Sequence, residues 1–188
     1  MLARLRGKLA AEPPEVRARV QVVEGDMGSS DLGRRFPLVT VPFRSIGHLL
    51  EVDAQVAAFE NMRRHLAPGG RIAFDFFHPD LGRLAAPQPE RVDLERVEGG
   101  RRVRRFTATV PRVARQLLDL DVRWELETPG GKVEEVRMSL SIRWFHRFEL
   151  EHLLARSGLL VEAIYGGFDR RPLADDSPEM VFVARAAT

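Results

Sequence analysis

The sequence predicts an α/β fold: a parallel sheet interrupted by an antiparallel β insert. Three observations lead there. Between residues 36 and 77 a strand, a helix, a Pro-Gly-Gly turn and a nearly continuous apolar strand follow one another, which is the order of a βαβ unit. Residues 91–145 then switch to alternating apolar and charged side chains broken by paired glycines, the pattern of hairpins with one wet face. From residue 148 a helical period and two further apolar strands return.

The 188 residues are the size of one domain, and 44% hydrophobic with 30% charged residues is an ordinary globular composition that can bury a core. No apolar run is long enough for a bilayer, and no charged segment leads into an apolar one as in a secretory leader. The chain is therefore read as cytoplasmic, with no membrane partner. The absence of cysteine excludes disulfides, a thiol nucleophile and a thiolate metal site. Formal net charge is only +2, and the basic residues are nearly all arginine, Lys8 and Lys132 being the only lysines. That balance does not call for a nucleic-acid partner.

In chain order, Leu2, Leu5 and Leu9 fall at helical spacing, so a helix is under way from Met1 with no residue to cap it. Pro13-Pro14 ends it. Val20 to Val23 reads as a short buried strand, followed by the loop Glu24-Gly25-Asp26-Met27. Residues 36–41 form a second strand, closed by Pro42. Asp53 is placed to cap a helix running to about Leu66, with Val56, Phe59 and Met62 near one face. Ala67-Pro68-Gly69-Gly70 stops that helix, and residues 71–77 form a strand covered on both faces. Residues 92–97 and 101–110 flank Gly99-Gly100 as a hairpin. Leu118, Leu120, Val122, Trp124 and Leu126 alternate with charged residues, and Val136, Met138, Leu140 and Ile142 return on the far side of Thr128-Pro129-Gly130-Gly131. A helix over residues 148–157 ends at Gly158. Strands over 159–165 and 180–185 complete the chain around a turn-rich loop.

Taken in this order, the segments resemble class I S-adenosylmethionine (SAM)-dependent methyltransferases. Residues 20–27 look like the third strand and its acidic loop, and Phe36-Pro37-Leu38-Val39-Thr40-Val41 like the fourth strand. His65-Leu66-Ala67-Pro68-Gly69-Gly70-Arg71 looks like the family's turn before the fifth strand. Phe43-Arg44-Ser45-Ile46-Gly47-His48-Leu49 is similar to a segment of bacterial enzymes that dimethylate the amine of nucleotide-linked deoxysugars. The resemblance implies a Rossmann-like methyltransferase sheet. Residues 1–80 would be a partial SAM-binding core, 91–145 an antiparallel insert covering the acceptor or joining a homodimer, and 146–188 the rest of the core. The family's glycine-rich first loop and the acid after its second strand are not in this sequence. They would add roughly 60–80 residues at about 30 per βαβ unit. Their lack leads us to expect an N-terminally truncated sheet that lacks its first strands, an unpaired edge along 36–41, and poor SAM binding by these residues alone.

The resemblance also implies roles. SAM would be the cofactor, with Asp26 accepting from the adenine amino group, Met27 packing on the ring, and Pro42, Phe43 and Arg44 lining the pocket at the carboxyl end of the strand. His48 would face the substrate as the catalytic residue, accepting a proton from an amine or hydroxyl nucleophile or orienting it. His78, Arg143, Trp144, Tyr165 and Phe168 would line the pocket of a small-molecule acceptor. His65 reads as a helix-end residue interacting with the dipole. His146 and His152 have no partner at metal-ligand spacing, so no metal is expected. Two rivals stand beside this reading: a non-catalytic remnant or interaction module that pairs through the exposed edge, and a nicotinamide-dependent enzyme, whose fingerprint is not found.

Overall fold

The computed structural model describes residues 2–187. Helices α1 (Leu2–Ala10) and α2 (Pro14–Arg17) bury no residue. Met1, the expected start of the first helix, lies outside the described residues, as does Thr188. The expected strand over 20–23 is not formed: the segment is irregular, with Val20 44% and Val23 50% exposed. An apolar run becomes a strand only where a neighbour accepts its ladder of hydrogen bonds, and none pairs with it here.

The first strand formed is β1 (Phe36–Val41), at the edge of a four-stranded sheet in the order β1-β2-β8-β7. Helix α3 (Val52–Arg64) follows. Its N-cap is Glu51, so Asp53 lies inside the first turn and does not cap it. Strand β2 (Leu66–Phe77) begins five residues earlier than the apolar run suggests, because it takes in the Pro-Gly-Gly segment. Gly69 adopts φ +74, and a Cβ on Gly70 would stand 2.9 Å from the carbonyls of Phe36 and Ala67. Glycine is required at the first by conformation and at the second by space. β1 and β2 run parallel, with a register irregularity between Phe36 and Leu38, where Pro37 has no N–H to give.

After the short helix α4 (Leu81–Leu84) comes a separate antiparallel sheet of β3 (Gln88–Glu98), β4 (Arg101–Arg112), β5 (Leu117–Glu127) and β6 (Val133–Arg143), paired in that order. Gly99 and Gly100 both take positive φ, +58 and +75, the geometry that matches a two-residue hairpin to strand twist. Cross-strand register sets Leu118, Leu120, Val122 and Trp124 opposite Ile142, Leu140, Met138 and Val136, so one face is apolar.

Helix α5 (Arg147–Arg156), β7 (Leu159–Tyr165) and β8 (Glu179–Ala186) close the first sheet. β8 is antiparallel to both β2 and β7. The sheet is thus mixed, with β1–β2 its only parallel pair among the described residues. The reason is the connection: the loop 166–178 carries no helix, and only a crossover of helical length returns a strand parallel. Ile72, Phe74 and Phe76 of β2 and Met180, Phe182 and Ala184 of β8 form the core with Ala58, Phe59 and Met62 of α3 and Leu150, Leu153 and Leu154 of α5.

Candidate functional site

The carboxyl end of β1 leads into a pair of consecutive residues with unusual backbone. Phe43 (φ +61) and Arg44 (φ +57) are consecutive non-glycine residues in the left-handed region, a conformation that persists only where its surroundings enforce it. Those surroundings are visible. The Arg44 guanidinium is ion-paired with the Glu179 carboxylate and sits 5.7 Å above the ring of Phe77. The Ser45 hydroxyl donates to the Pro42 carbonyl at 2.6 Å, and the Gly47 N–H to the Arg44 carbonyl at 2.9 Å. A 3₁₀ turn over Ser45–His48 follows with Ile46 and Gly47 buried. Gly47 has no room for a Cβ, which would meet Phe76 at 3.0 Å and the Arg143 carbonyl at 3.1 Å. Behind it, Gln55 Nε2 donates to the Leu49 carbonyl at 2.7 Å and Arg143 Nη1 to that of Leu50 at 3.4 Å. Pro42, Phe43 and His48 are left exposed to solvent, and Phe43 reaches 90%.

Asp26 lies in a different place. Its Oδ1 accepts from the Gly28 N–H at 2.8 Å and the Ser29 hydroxyl at 3.2 Å, closing a side-chain turn. Met27 follows, half-buried. The turn opens on a cavity of about 410 Å³ whose walls include Val23, Asp26, Met27, Leu38, Met62 and His65. The cavity lies against the free edge of β1, where Leu38 is 54% exposed. Pro42, Phe43, Arg44 and His48 do not line it. The structure therefore groups Pro42, Phe43, Arg44 and His48 on one loop and Asp26 with Met27 on another.

The residues expected around an acceptor are also dispersed. His78, half-buried at the end of β2, receives its backbone order from a bond to the Pro178 carbonyl at 3.0 Å. Its Nδ1 donates to the Ser177 carbonyl at 3.1 Å. Arg143 pairs with Glu149 at 3.2 Å, and its buried Nε has no hydrogen-bond partner among the described residues. Trp144 is 4% exposed and packs into the core. Tyr165 is half-buried at the end of β7, and Phe168 is 72% exposed on the following loop. Among the described residues no group of three or more His, Asp or Glu side chains could hold a metal ion, and no helix is long and apolar enough to cross a membrane.

Sequence reasoning missed Glu179, the partner of Arg44. It precedes the last apolar run, and only the fold brings together residues 135 positions apart. It also missed Asn61, a buried amide on α3 that a helical pattern shows only as a polar interruption. His65 does more than meet the helix end: it is buried and bonded to the loop that follows Asp26.

No family model matches the chain. It is 30% identical over 159 residues to the dTDP-3-amino-3,4,6-trideoxy-alpha-D-glucopyranose N,N-dimethyltransferase of Streptomyces venezuelae, covering 80% of this chain and 61% of that protein. Among solved structures it superposes on the CcbJ methyltransferase of Streptomyces caelestis with a TM-score of 0.82 and 26% identity, over 100% of this chain and 71% of that one. It superposes on SAM-bound CalS10, an amino pentose methyltransferase from Micromonospora echinaspora, with a TM-score of 0.67 and 26% identity, over 87% and 63% of the two chains. The chain spans about 61% of the length of the curated relative. Its fold is the Rossmann-like methyltransferase fold that the order of motifs implied, and the sequence likeness to sugar N,N-dimethyltransferases extends over most of its residues.

Proposed function

From this SAM-dependent methyltransferase fold and its likeness to sugar N,N-dimethyltransferases, we propose that the protein methylates the amine of a small amino-sugar acceptor with SAM as donor. The nitrogen lone pair attacks the sulfonium methyl in line. A C–N bond forms, the S–C bond breaks, the donor leaves as a thioether, and the new ammonium gives up one proton. Such a displacement depends chiefly on holding the two partners in line. The observation that carries the reading is the 30% identity to an N,N-dimethyltransferase over 80% of the chain.

Within it, Asp26 accepts from the adenine amino group and Met27 packs on the purine. Pro42, Phe43 and Arg44 line the donor pocket. His48, exposed and with a side chain that makes no hydrogen bond among the described residues, orients the amine and takes its proton. His78, Arg143, Tyr165 and Phe168 face the acceptor, with Trp144 backing them from the core. Two strained residues at the carboxyl end of a sheet strand support a ligand loop there. The donor must touch both the Asp26 turn and the His48 loop, so a SAM-bound structure in which it meets only one removes the other from the site. The insert's apolar face, with Val136 55% and Met138 51% exposed, is assigned to the contact between two copies, and sedimentation as a monomer rejects that assignment.

The decisive experiment incubates the protein with SAM and a dTDP-linked 3-amino-deoxysugar, followed by mass spectrometry. Stepwise gain of one and then two methyl groups is expected once SAM is raised far enough to offset the weak donor binding expected of these residues alone. Methylation confined to oxygen, or none on any amino sugar tried while SAM binds, overturns the acceptor class.

A further inference from the structure

The segment between the Asp26 turn and β1 contains no helix or strand, yet three of its backbone groups are fixed by Asn61 of α3 and by His65, the residue that caps that helix. Asn61, 6% exposed, donates both amide hydrogens, one to the Met27 carbonyl at 3.0 Å and the other to the Ser30 carbonyl at 2.9 Å. Its Oδ1 accepts from Arg64 at 3.1 Å, so the amide has one orientation that satisfies every partner. One turn on, His65 Nδ1 lies 2.8 Å from the Asn61 carbonyl and must carry the proton. Nε2 is then an acceptor, and it takes the Leu32 N–H at 3.0 Å. A single neutral tautomer meets both demands.

The clamp brackets the residues of interest. Asp26 spends Oδ1 on its own turn, through Gly28 and Ser29, while Oδ2 has no hydrogen-bond partner among the described residues. Met27, whose carbonyl Asn61 holds, lines the same 410 Å³ cavity as Asp26, Asn61 and His65. A carboxylate oxygen and a thioether are thus held in the lining of one cavity by part-buried bonds that neither of them makes.

We infer that Asn61 and His65 are a positioning pair for the donor, fixing the 27–32 segment so that Asp26 Oδ2 and Met27 are presented to a purine ring. The inference rests on the assignment of Asp26 and Met27 to the donor. A turn ordered before binding spares the ligand the entropy of ordering it. Loss of the clamp therefore appears in donor affinity and not in the chemical step.

Calorimetry with S-adenosylhomocysteine, together with donor-saturation kinetics, tests this. Asn61→Leu should weaken S-adenosylhomocysteine binding on the order of tenfold, the scale of one or two lost part-buried hydrogen bonds, with kcat at saturating SAM kept. Asp26→Asn retains an oxygen for the turn and puts an N–H₂ toward the adenine amine, so it should weaken binding as well. If Asp26→Asn binds normally, the assignment of Asp26 fails. If it weakens binding and Asn61→Leu does not, the assignment stands and the positioning role fails. Equal loss in kcat and affinity for Asn61→Leu also overturns the role, because general damage would produce it. Should Asn61→Leu not fold, His65 decides. His65→Gln keeps an acceptor near Leu32 and should retain affinity, and His65→Leu should lose it. The same affinity for both variants overturns the inference.

Discussion

The two sheets of this molecule are built from similar strand lengths but held by different forces. In the first, β2 and β8 face α3 and α5 with side chains that are almost wholly buried. Phe74 stacks on Phe182 at 5.1 Å with an interplanar angle of 7°, and Phe59 leans on Phe74 at 5.3 Å. In the second, one face is a lattice of arginine and acid. Arg123, 14% exposed, is bonded to Glu90 and Glu125 and lies 3.8 Å from the centre of Phe106. Arg102 pairs with Glu95 and Arg112 with Asp119 on that face, whereas Arg105, paired with Asp93, lies on the other face over the Trp124 ring. Most of these pairs are open to water, where each is worth little, so the insert is registered by charge more than it is stabilised by it. Its apolar face is mostly half-covered, with Val103 and Val122 its buried residues on β4 and β5.

That contrast makes unequal predictions. Phe74→Ala removes the ring shared by both aromatic contacts and should cost about 3–5 kcal/mol. In the insert, Val122→Ala removes two methyl groups from a thinner layer and should cost about 1–2 kcal/mol. Urea denaturation of both variants measures the gap, and equal costs would mean that the insert is as well packed as the core. Gly47→Ala probes the place where the two regions touch, since its Cβ would meet Phe76 of the first sheet at 3.0 Å and the Arg143 carbonyl of the insert at 3.1 Å. The neighbours are a core ring and backbone, neither free to move, so a cost of about 1–3 kcal/mol is expected. Because His48 follows directly, methyl transfer should fall with it. Stability lost without any change in rate would detach His48 from the chemistry.

The same contrast explains what could be read from the sequence. Insert strands announce themselves: Leu118 through Leu126 alternate with charge because one face is wet, and the glycine pair at 99–100 marks the turn. The apolar run of β2 was equally plain, but the Pro-Gly-Gly segment that read as a turn belongs to the strand. The run at 20–23 was misleading, because apolar content says nothing of whether a neighbouring strand exists to pair with it. The direction of β8 was also hidden, since it follows from a connection that lacks a helix and not from any residue in the strand. Within the candidate site, Phe43 and His48 stood out through a local motif. Glu179 and Asn61 did not, because each acts on a partner 135 or 31–34 positions away, and one polar residue in an apolar pattern carries no address.

The smallest effect expected concerns the charged face. Asp119 is held below the usual aspartate value, first by the Ser141 hydroxyl donating at 2.6 Å and then by Arg112 at 2.8 Å. A carboxyl lowered in the folded state binds protons less readily than in the unfolded chain. Its stabilisation is therefore complete above the unfolded value, about 3.9, and is lost as pH falls through the lower folded one. Asp119→Asn should lower Tm slightly at neutral pH, and the difference from the parent should shrink to nothing in strong acid. Glu90, Asp93 and Glu135 are also lowered, so the variant keeps most of the parent's acid sensitivity. Thermal melts of both proteins from neutral pH down to about pH 2 follow the difference directly. If it stays constant across that range, ionisation of Asp119 contributes nothing, and the charged face sets strand register alone.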